Sequence, residues 1–326
     1  MKTPGIVFAT WLGDSGTERV RTFAPMAEAR GFRNFLVTEQ VSDALSLAQY
    51  AASVTKRIRI GTAVTNIYLR PALTTGLQAL TIDTVAPGRL FLGLGTSHAV
   101  INQAYGIAME KPLTLLRTYV ETLQRVFGGT HAGLRHLAEM GLPLPHATHP
   151  IPLFIGGVSP KSIQLAGEIA DGIVPTPYGT RMLREVVDGV AEGAQRVGRP
   201  VQEVVIAPIV HTCVCTDRKL ALRSAQRHLA SYAALPFYNR TFARHGFRKE
   251  AEEVAAATLR GDVEGAVAAI SERLINEAAV IGSPQECISR IEAFENAGAT
   301  YVILDPIAID RNADRGVRAV LNAFAR

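Results

Sequence analysis

Cysteine is scarce in this chain, which has three cysteines among 326 residues. So odd and sparse a set does not make a disulfide framework, and it is typical of a reducing compartment. Long apolar runs are also missing, since none approaches the roughly 18 residues that a membrane-spanning helix needs. The first residues do not resemble a secretory signal. These absences predict a cytoplasmic protein with no membrane partner.

Several sequence patterns that mark common protein classes are missing as well. No Lys/Arg cluster is interleaved with aromatic residues, so we expect no nucleic-acid partner, although the formal net charge is +5. The motifs G-x-S-x-G, H-E-x-x-H and the P-loop do not occur, which excludes the common hydrolases and nucleoside triphosphatases that carry them. The G-x-G at Gly93 and Gly95 lacks the third glycine of a dinucleotide-binding fingerprint.

The sequence does contain a repeated alternation of short apolar runs with longer amphipathic ones. The predicted strands cover residues 6–9, 34–38, 58–64, 89–94, 153–155, 172–174, 204–214 and 300–304. The predicted helices between and after them cover residues 17–30, 43–54, 72–85, 112–127, 181–197, 284–296 and 314–324, with one more that begins near residue 159. Each helix then serves as a crossover between parallel strands. The pattern predicts an α/β fold, and the count of eight strands favours a (β/α)8 TIM barrel over an open doubly wound sheet.

The length of the chain does not require two domains, because such barrels run as one domain from about 200 to over 400 residues. We therefore predict a single domain over residues 1–326. Two segments interrupt the repeat: residues 128–150 predict a long irregular connection, and residues 216–281 are mostly helical. Segments of this length are candidates for active-site lids or oligomer contacts, and we expect a homodimer.

In a barrel, functional residues lie at the C-terminal ends of the strands. Residues 156–159, Gly-Gly-Val-Ser, follow the fifth predicted strand and precede a helix that begins at Pro160. The glycines let the backbone approach a ligand closely, and the N–H groups at a helix start favour an anion. A simple strand-to-helix turn with Ser159 as N-cap is the alternative.

Two titratable residues at other strand ends are candidates for proton transfer. His98 lies just past the fourth strand, where a group that titrates near neutrality would be useful, and Glu39 ends the second strand. Either residue could instead be a solvated loop residue. His211, Cys213 and Cys215 would share one face of the seventh strand, but a fourth ligand is not evident, so we predict no metal site.

The strand-end residues together resemble the luciferase-like superfamily of flavin- and deazaflavin-dependent oxidoreductases. The similarity rests on four stretches, which occur in the family's order over nearly the whole chain. They are IRIGTAVTN at 58–66, APGRLFLGLGTSH at 86–98, the stretch from IGGVSP to LAGEIADG at 155–172, and the stretch from GSP to AGA at 282–299. Each stretch alone is a moderate match, and their common order identifies the superfamily.

The resemblance implies a barrel whose strand ends hold an isoalloxazine-type ring. In deazaflavin-using members the third strand carries a non-proline cis peptide, and the matching bond here joins Ala63 to Val64. The implied cofactor is coenzyme F420, with FMN as the alternative, and the phosphate of its tail would rest on residues 156–159. The implied cofactor-binding residues are Ala63, Val64, Thr65, Asn66, Gly95, Thr96, Ser97, Gly156, Gly157, Val158 and Ser159.

The chain departs from some relatives at the end of the second strand. Sugar-phosphate-oxidising members have an Asp-His pair there, whereas this chain has Glu39 and Gln40. Glutamine cannot take a proton as histidine does, so Glu39 or His98 would have to handle the proton. The residues predicted to line the substrate pocket are Trp11, Gln40, Tyr105 and Tyr178.

The predicted function is a coenzyme F420-dependent oxidoreductase, expected to act as a reductase. It would transfer a hydride to a C=C, C=N or C=O bond of a small organic substrate, with a nearby acid supplying the proton. One alternative is an FMN-dependent monooxygenase of the same superfamily, which uses reduced flavin and O₂. The second alternative is a non-catalytic barrel that only binds a cofactor or a partner.

Overall fold

The computed structural model describes residues 1–8, 16–39, 41–176 and 179–326. The strands are β1 (Gly5–Phe8), β2 (Asn34–Val37), β3 (Arg59–Thr62), β4 (Thr65–Asn66), β5 (Leu90–Gly95), β6 (Leu153–Ile155), β7 (Gly172–Ile173), β8 (Val205–Ile206), β9 (Ile209–Val214), β10 (Val280–Gly282) and β11 (Ile303–Pro306). The helices are α1 (Gly16–Ala29), α2 (Ala44–Ser53), α3 (Ala72–Val85), α4 (Ala99–Ala104), α5 (Pro112–Phe127), α6 (Ala132–Glu139), α7 (Pro160–Ile169), α8 (Gly179–Arg196), α9 (Arg218–Ala233), α10 (Pro236–Arg244), α11 (Arg248–Leu259), α12 (Val263–Ala268), α13 (Glu272–Ala278), α14 (Pro284–Asn296) and α15 (Ala313–Ala323).

The strands form a barrel with eight parallel strand positions, in which β8 and β9 together occupy one position. The hydrogen-bonded order runs from β9 through β11, β1, β2, β3, β5, β6 and β7 to β8. Strands β8 and β9 are successive segments of one run of chain, interrupted at Ala207 and Pro208, and this continuity closes the ring. Pro208 has no N–H to donate, which interrupts the ladder at that point. The predicted α/β TIM-barrel fold is confirmed.

Local sequence signals set the ends of most helices. α3 and α5 have the predicted bounds, and α14 begins after Ser283 with a capping box in which the side chains of Ser283 and Glu286 each accept from the other's backbone N–H. Several segments differ from the predictions, among them the short helix α4, which was not predicted. Residues 128–150 are not irregular throughout, because α6 forms there and buries Leu134. The seventh strand is split into β8 and β9, and a further strand, β10, pairs with β9.

The interior of the barrel changes from apolar to polar towards the C-terminal ends of the strands. Its apolar layer consists of Val7, Leu36, Phe91, Phe154, Val174, Ala207, Tyr301 and Ile303, with Ile209 packed against it. Side chains alternate between the two faces of a strand, so residues two positions further along also face inward. By this rule Gly93, His211 and Asp305 face inward, as does Gly156 directly after β6. The mouth of the barrel is therefore lined by small and polar side chains.

Helices α9 to α13 form their own apolar cluster, which includes Val158, Ile307 and Ile309 from the turns that follow β6 and β11. These contacts place the helices against the mouth of the barrel. The single domain and the bounds of its two insertions stay predictions. Within the described ranges, no helix is both long and apolar enough to cross a membrane.

Candidate active site

The side chain of Val64 forms one wall of the barrel mouth. The peptide bond between Ala63 and Val64 is cis, as predicted, and joins the segments β3 and β4. A Cβ atom added to Gly156 would lie 2.6 Å from Cγ1 of Val64, and one added to Gly95 would also overlap the valine. These two glycines are therefore required by close packing around Val64, a reason that the sequence alone did not supply.

Thr65, the next residue, is fully buried. Its hydroxyl oxygen has no hydrogen-bond partner among the residues that the structure describes. Buried hydroxyl groups in folded proteins almost always have a partner, so this oxygen is available to a bound ligand. Thr65 was among the residues that the resemblance implies for the cofactor, and its role there stays a prediction.

The turn at residues 156–159 leads directly into α7. Ser159 caps this helix: its Oγ accepts from the backbone N–H of Ser162 at 3.2 Å, and its own N–H donates to Oγ of Ser162 at 3.1 Å. In the described part of the chain, no hydrogen bond occupies the backbone N–H groups of Gly157, Val158 and Lys161. The N-cap with Ser159 that was the alternative for this turn is therefore present, and the capping bonds leave these N–H groups available, so the phosphate-binding role of the turn stays a prediction.

A buried polar network connects the ends of three strands. The backbone N–H of Asn66 donates to Glu39, and the Asn66 side-chain amide donates to Oδ1 of Asn102 at 2.8 Å. The amide of Asn102 in turn donates to the carbonyl oxygen of Thr96 at 3.0 Å. Asn102 is fully buried on α4 and was missed by the sequence analysis, because nothing in its own segment shows that it faces Asn66. The network fixes the loops that follow β2, β4 and β5 relative to one another.

The carboxylate of Glu39 is surrounded by N–H donors. Its oxygens accept from the backbone N–H groups of Ala44 and Asn66 and form a buried ion pair with the guanidinium of Arg70. Arg70 also pairs with Asp43. Each of these described partners is a hydrogen-bond donor, and none is an acceptor to which Glu39 could pass a proton. Glu39 is well placed to hold Asn66, and its predicted part in proton transfer stays a prediction.

His98 lies at the N-cap position of α4, half-buried at the end of β5. Its ring packs against Tyr238, with centroids 5.2 Å apart, and against Phe237 at 6.3 Å. Burial lowers the pKa of the His98 imidazole, which favours the neutral ring. Ser97 before it has a φ of 57°, in the left-handed region. The loop thus presents a neutral imidazole beside an aromatic cluster from α10.

The four predicted substrate-pocket residues are located as follows. Tyr105 lies at the C-cap of α4 and is 45% exposed. Trp11, Gln40 and Tyr178 lie outside the described residues. The substrate-binding role of all four stays a prediction.

A buried histidine–aspartate pair lies on the opposite side of the mouth. His211 on β9 is the direct neighbour of Asp305 on β11, and Nδ1 of His211 is 2.8 Å from Oδ2 of Asp305. Nε2 of His228, on α9, lies 3.0 Å from the same Nδ1 atom. The ring of Tyr232 stands edge-on to His211 with centroids 4.6 Å apart. In the ring of eight strand positions, β9 is four positions from β3, so this cluster faces Val64 across the barrel.

His211 has other neighbours than the two cysteines that follow it in the sequence. Ligand atoms of His211, His228 and Asp305 lie within 4.8 Å of one another, a spacing that could hold a metal ion, and the two cysteines are not part of this group. Cys213 packs into the apolar cluster of the helices, and burial raises the pKa of its thiol to about 12. Sequence spacing could not show this, because His228 and Asp305 come from different elements.

The luciferase-like monooxygenase family model matches residues 6–301 of this chain. The chain is 25% identical over 309 residues to a 5,10-methylenetetrahydromethanopterin reductase of Methanolobus tindarius, covering 93% of this chain and 94% of the relative.

Solved structures share the whole fold. The coenzyme F420-dependent tetrahydromethanopterin reductase of Methanopyrus kandleri superposes with a TM-score of 0.81 at 21% identity, over 98% of this chain and 97% of that one. An F420-dependent secondary alcohol dehydrogenase, solved with an F420-acetone adduct, gives a TM-score of 0.75 at 18% identity, over 99% and 98% of the two chains. At these identities the structures show the barrel fold alone.

Proposed function

The chain belongs to the luciferase-like monooxygenase family, and from that premise we propose that it is a coenzyme F420-dependent oxidoreductase. Its reaction is the reduction of a C=C, C=N or C=O bond in a small organic substrate. The similarity to a methylenetetrahydromethanopterin reductase over 93% of the chain supports this choice within the family. Membership of the family supports the general class of enzyme, an oxidoreductase.

The observation that carries the proposal is the composition of the barrel mouth. Among the described residues, neither the hydroxyl of Thr65 nor the N–H groups of Gly157, Val158 and Lys161 have a hydrogen-bond partner. A ring with an anionic tail would supply those partners and pack against the wall formed by Val64. When bound in its reduced form, the deazaflavin would supply the hydride.

The turn at residues 156–159 would hold the phosphate of the tail. Backbone N–H groups at a helix N-terminus carry partial positive charge and point at a bound anion. Lys161, which is exposed in the first turn of α7, adds a positive charge close to this turn in the sequence. The capping hydrogen bonds between Ser159 and Ser162 keep this backbone in place, so little ordering is required on binding.

Other residues of the chain would orient the substrate and exclude water. Tyr232 and Tyr238 pack edge to face with centroids 5.0 Å apart and, together with Phe237, cover the side of the mouth near His98. The neutral imidazole of His98 would act there as a hydrogen-bond partner. Because burial lowers the pKa of this imidazole, the ring is mostly neutral at neutral pH and is a poor proton donor.

An FMN-dependent monooxygenase remains the second candidate, because the family description names a monooxygenase. Both enzymes would hold the ring of their cofactor against Val64. The two cofactors, F420 and FMN, differ in the length and charge of the tail. A non-catalytic barrel would bind a cofactor without turnover.

Titration of the protein with F420 and with FMN, followed by fluorescence, tests the proposal. We expect F420 to bind at least ten times more tightly than FMN. Reduced F420 should then be oxidised by 2-cyclohexen-1-one, 1-pyrroline or acetone, which present C=C, C=N and C=O bonds. Tighter FMN binding with O₂-dependent turnover would favour the monooxygenase, and binding of neither cofactor would contradict both enzymes.

Lys161→Ala provides a further check on the site of the tail. It should weaken F420 binding several-fold, and more at low than at high salt, because an exposed charge is screened. Lys219→Ala, on α9, is the matched control and should leave the affinity unchanged.

A further inference from the structure

Three side chains with metal-binding groups meet in the polar layer of the barrel mouth: His211 on β9, Asp305 on β11 and His228 on α9. Nδ1 of His211 lies 2.8 Å from Oδ2 of Asp305 and 3.0 Å from Nε2 of His228. The distance from Nε2 of His228 to the same Oδ2 atom is 3.7 Å. The side chains of His211, Asp305 and His228 are 1%, 6% and 10% exposed, so these three atoms face one another in the interior.

Hydrogen bonds alone do not account for this arrangement. A ring nitrogen has one site in the plane of the ring, which is either an N–H donor or a lone pair. The three distances place Asp305 and His228 nearly at right angles as seen from Nδ1 of His211. That nitrogen can therefore serve one of the two partners with good geometry, but not both. A cation between the three atoms would instead use one lone pair from each.

The charge of Asp305 points in the same direction. Within the described ranges, no lysine or arginine pairs with this carboxylate, and its ion-pair partners are His211 and His228. A buried carboxylate is costly in its ionised form unless an opposite charge compensates it, and buried charges in proteins are usually paired or coordinate a metal ion. Neutral imidazoles do not compensate the charge, whereas a cation bound among the three side chains would.

The spacing of the three atoms also fits a small metal ion. The circle through them has a radius of about 1.9 Å, whereas nitrogen and carboxylate ligands bind Zn²⁺ at about 2.0–2.2 Å. An ion just outside their plane would therefore lie at bonding distance from all three. Their separations of 2.8 Å, 3.0 Å and 3.7 Å bracket the edge of about 3.3 Å that a tetrahedral site with such bonds has.

We propose that His211, His228 and Asp305 form a binding site for one divalent transition-metal ion, and that Zn²⁺ binds there. Two imidazoles with one carboxylate suit such ions, whereas Mg²⁺ and Ca²⁺ prefer oxygen ligands alone. Two of the ligands have a fixed spacing, since His211 and Asp305 are direct neighbours across β9 and β11. The site goes beyond the proposed function and does not depend on it.

The ion would join two parts of the molecule. His228 comes from α9, one of the helices that pack over the mouth, and the other two ligands come from the barrel strands. A bound ion would therefore hold these helices against the mouth on the side opposite Val64. The sequence did not suggest this site, because His228 and Asp305 are 17 and 94 residues away from His211.

Calorimetric titration of the chelator-treated protein with Zn²⁺ tests the site. We expect one ion to bind per chain. Because an ion that binds only the folded state stabilises it, Tm should rise by about 5 °C at a free Zn²⁺ concentration about 100 times Kd. X-ray absorption at the zinc edge should show two imidazole nitrogens and oxygen at about 2.0–2.2 Å, with no sulfur at about 2.3 Å.

Variants of the ligands show where the ion binds. His228→Gln and Asp305→Asn should each weaken Zn²⁺ binding by at least about 100-fold, because loss of a ligand costs more than loss of a group that orients one. His149→Gln is the matched control: Nδ1 of His149 lies 3.3 Å from Oδ2 of Asp83, but the described residues provide no third ligand there. Cys215→Ser controls for the partly exposed thiol. Neither control should change the affinity or the stoichiometry.

Two outcomes that would overturn the proposal need no variant: the absence of stoichiometric Zn²⁺ binding to the wild-type protein, and sulfur among the ligands of the bound zinc. Unchanged affinity in His228→Gln would overturn it as well. If a ligand variant does not fold, as judged by circular dichroism, the absorption spectrum of the wild-type protein still identifies the ligands. F420 binding is measured separately, and its absence would contradict the proposed function while leaving this site in place.

Discussion

The carboxylate of Glu39 accepts a hydrogen bond from the backbone N–H of Asn66, with Oε2 and N 2.5 Å apart. This contact ties the end of β2 to the segment that follows β3. Glu39 is 7% exposed, and the guanidinium of Arg70 occupies its other side. This buried carboxylate therefore helps to hold Asn66, which also pairs with Gly95 of β5 and bonds Asn102 through its side chain.

Replacement of Glu39 by alanine should destabilise the protein. Removal of the Glu39 carboxylate leaves the backbone N–H groups of Ala44 and Asn66 without their acceptor and takes away one of the two carboxylates that pair with Arg70, at a cost of about 1–3 kcal/mol for each buried group left unsatisfied. Urea unfolding at pH 7 measures the loss. Glu39→Gln, which keeps one acceptor oxygen, should cost less. A catalytic role for Glu39 predicts a different pattern, in which Glu39→Gln lowers the chemical rate but leaves both stability and F420 affinity unchanged.

Gly156→Ala should also destabilise the fold, because the new Cβ would lie 2.6 Å from Cγ1 of Val64. Overpacking of this kind costs about 1–3 kcal/mol. Truncation of the valine in the double variant Val64→Ala/Gly156→Ala should relieve most of the clash, so the two changes should be non-additive. Gly133→Ala in α6 is the control, since a Cβ there lies 3.5 Å from the ring of His131 and should be tolerated. Equal costs of Gly156→Ala in both backgrounds would contradict the packing argument.

The lowered pKa of His228 predicts that the folded protein loses stability in acid. Its pKa is about 3 in the folded protein and 6.5 in the unfolded chain, so the unfolded state binds more protons between these values. The free energy of unfolding should therefore fall by about 1.4 kcal/mol for each pH unit below about 6.5, until about pH 3. Urea unfolding at several pH values measures the slope. His228→Gln should flatten it relative to wild type, and an identical slope in the two proteins would exclude His228 as its source.

The three cysteines should differ in reactivity. Burial raises the pKa of the thiols of Cys213 and Cys287 to about 12, whereas Cys215 is partly exposed. Because the thiolate is the reactive form, an aromatic disulfide reagent at pH 8 should label one thiol rapidly in the native protein and all three in urea. Cys215→Ser should remove the rapid phase. Rapid labelling of Cys213 or Cys287 in the native state would contradict their burial.

Much of the fold could be predicted because its signals are local. The period of apolar residues gave the bounds of α3 and α5 correctly, and Ser283 with Pro284 marked the start of α14. The resemblance located the cis bond between Ala63 and Val64. The helix α6 was missed because it is short and its one buried side chain, Leu134, produces little periodicity.

Eight apolar runs separated by crossover helices were enough to favour the barrel, since such a pattern allows few other arrangements. The same pattern showed which residues end the strands. Which of these side chains meet could be seen in the folded structure alone. Asn66 bonds Asn102, 36 residues further on, and His211 bonds Asp305, 94 residues further on. Such pairs depend on the register of the strands and on how the helices pack over the mouth of the barrel. Both are long-range features of the closed barrel, so a short stretch of sequence does not reveal them.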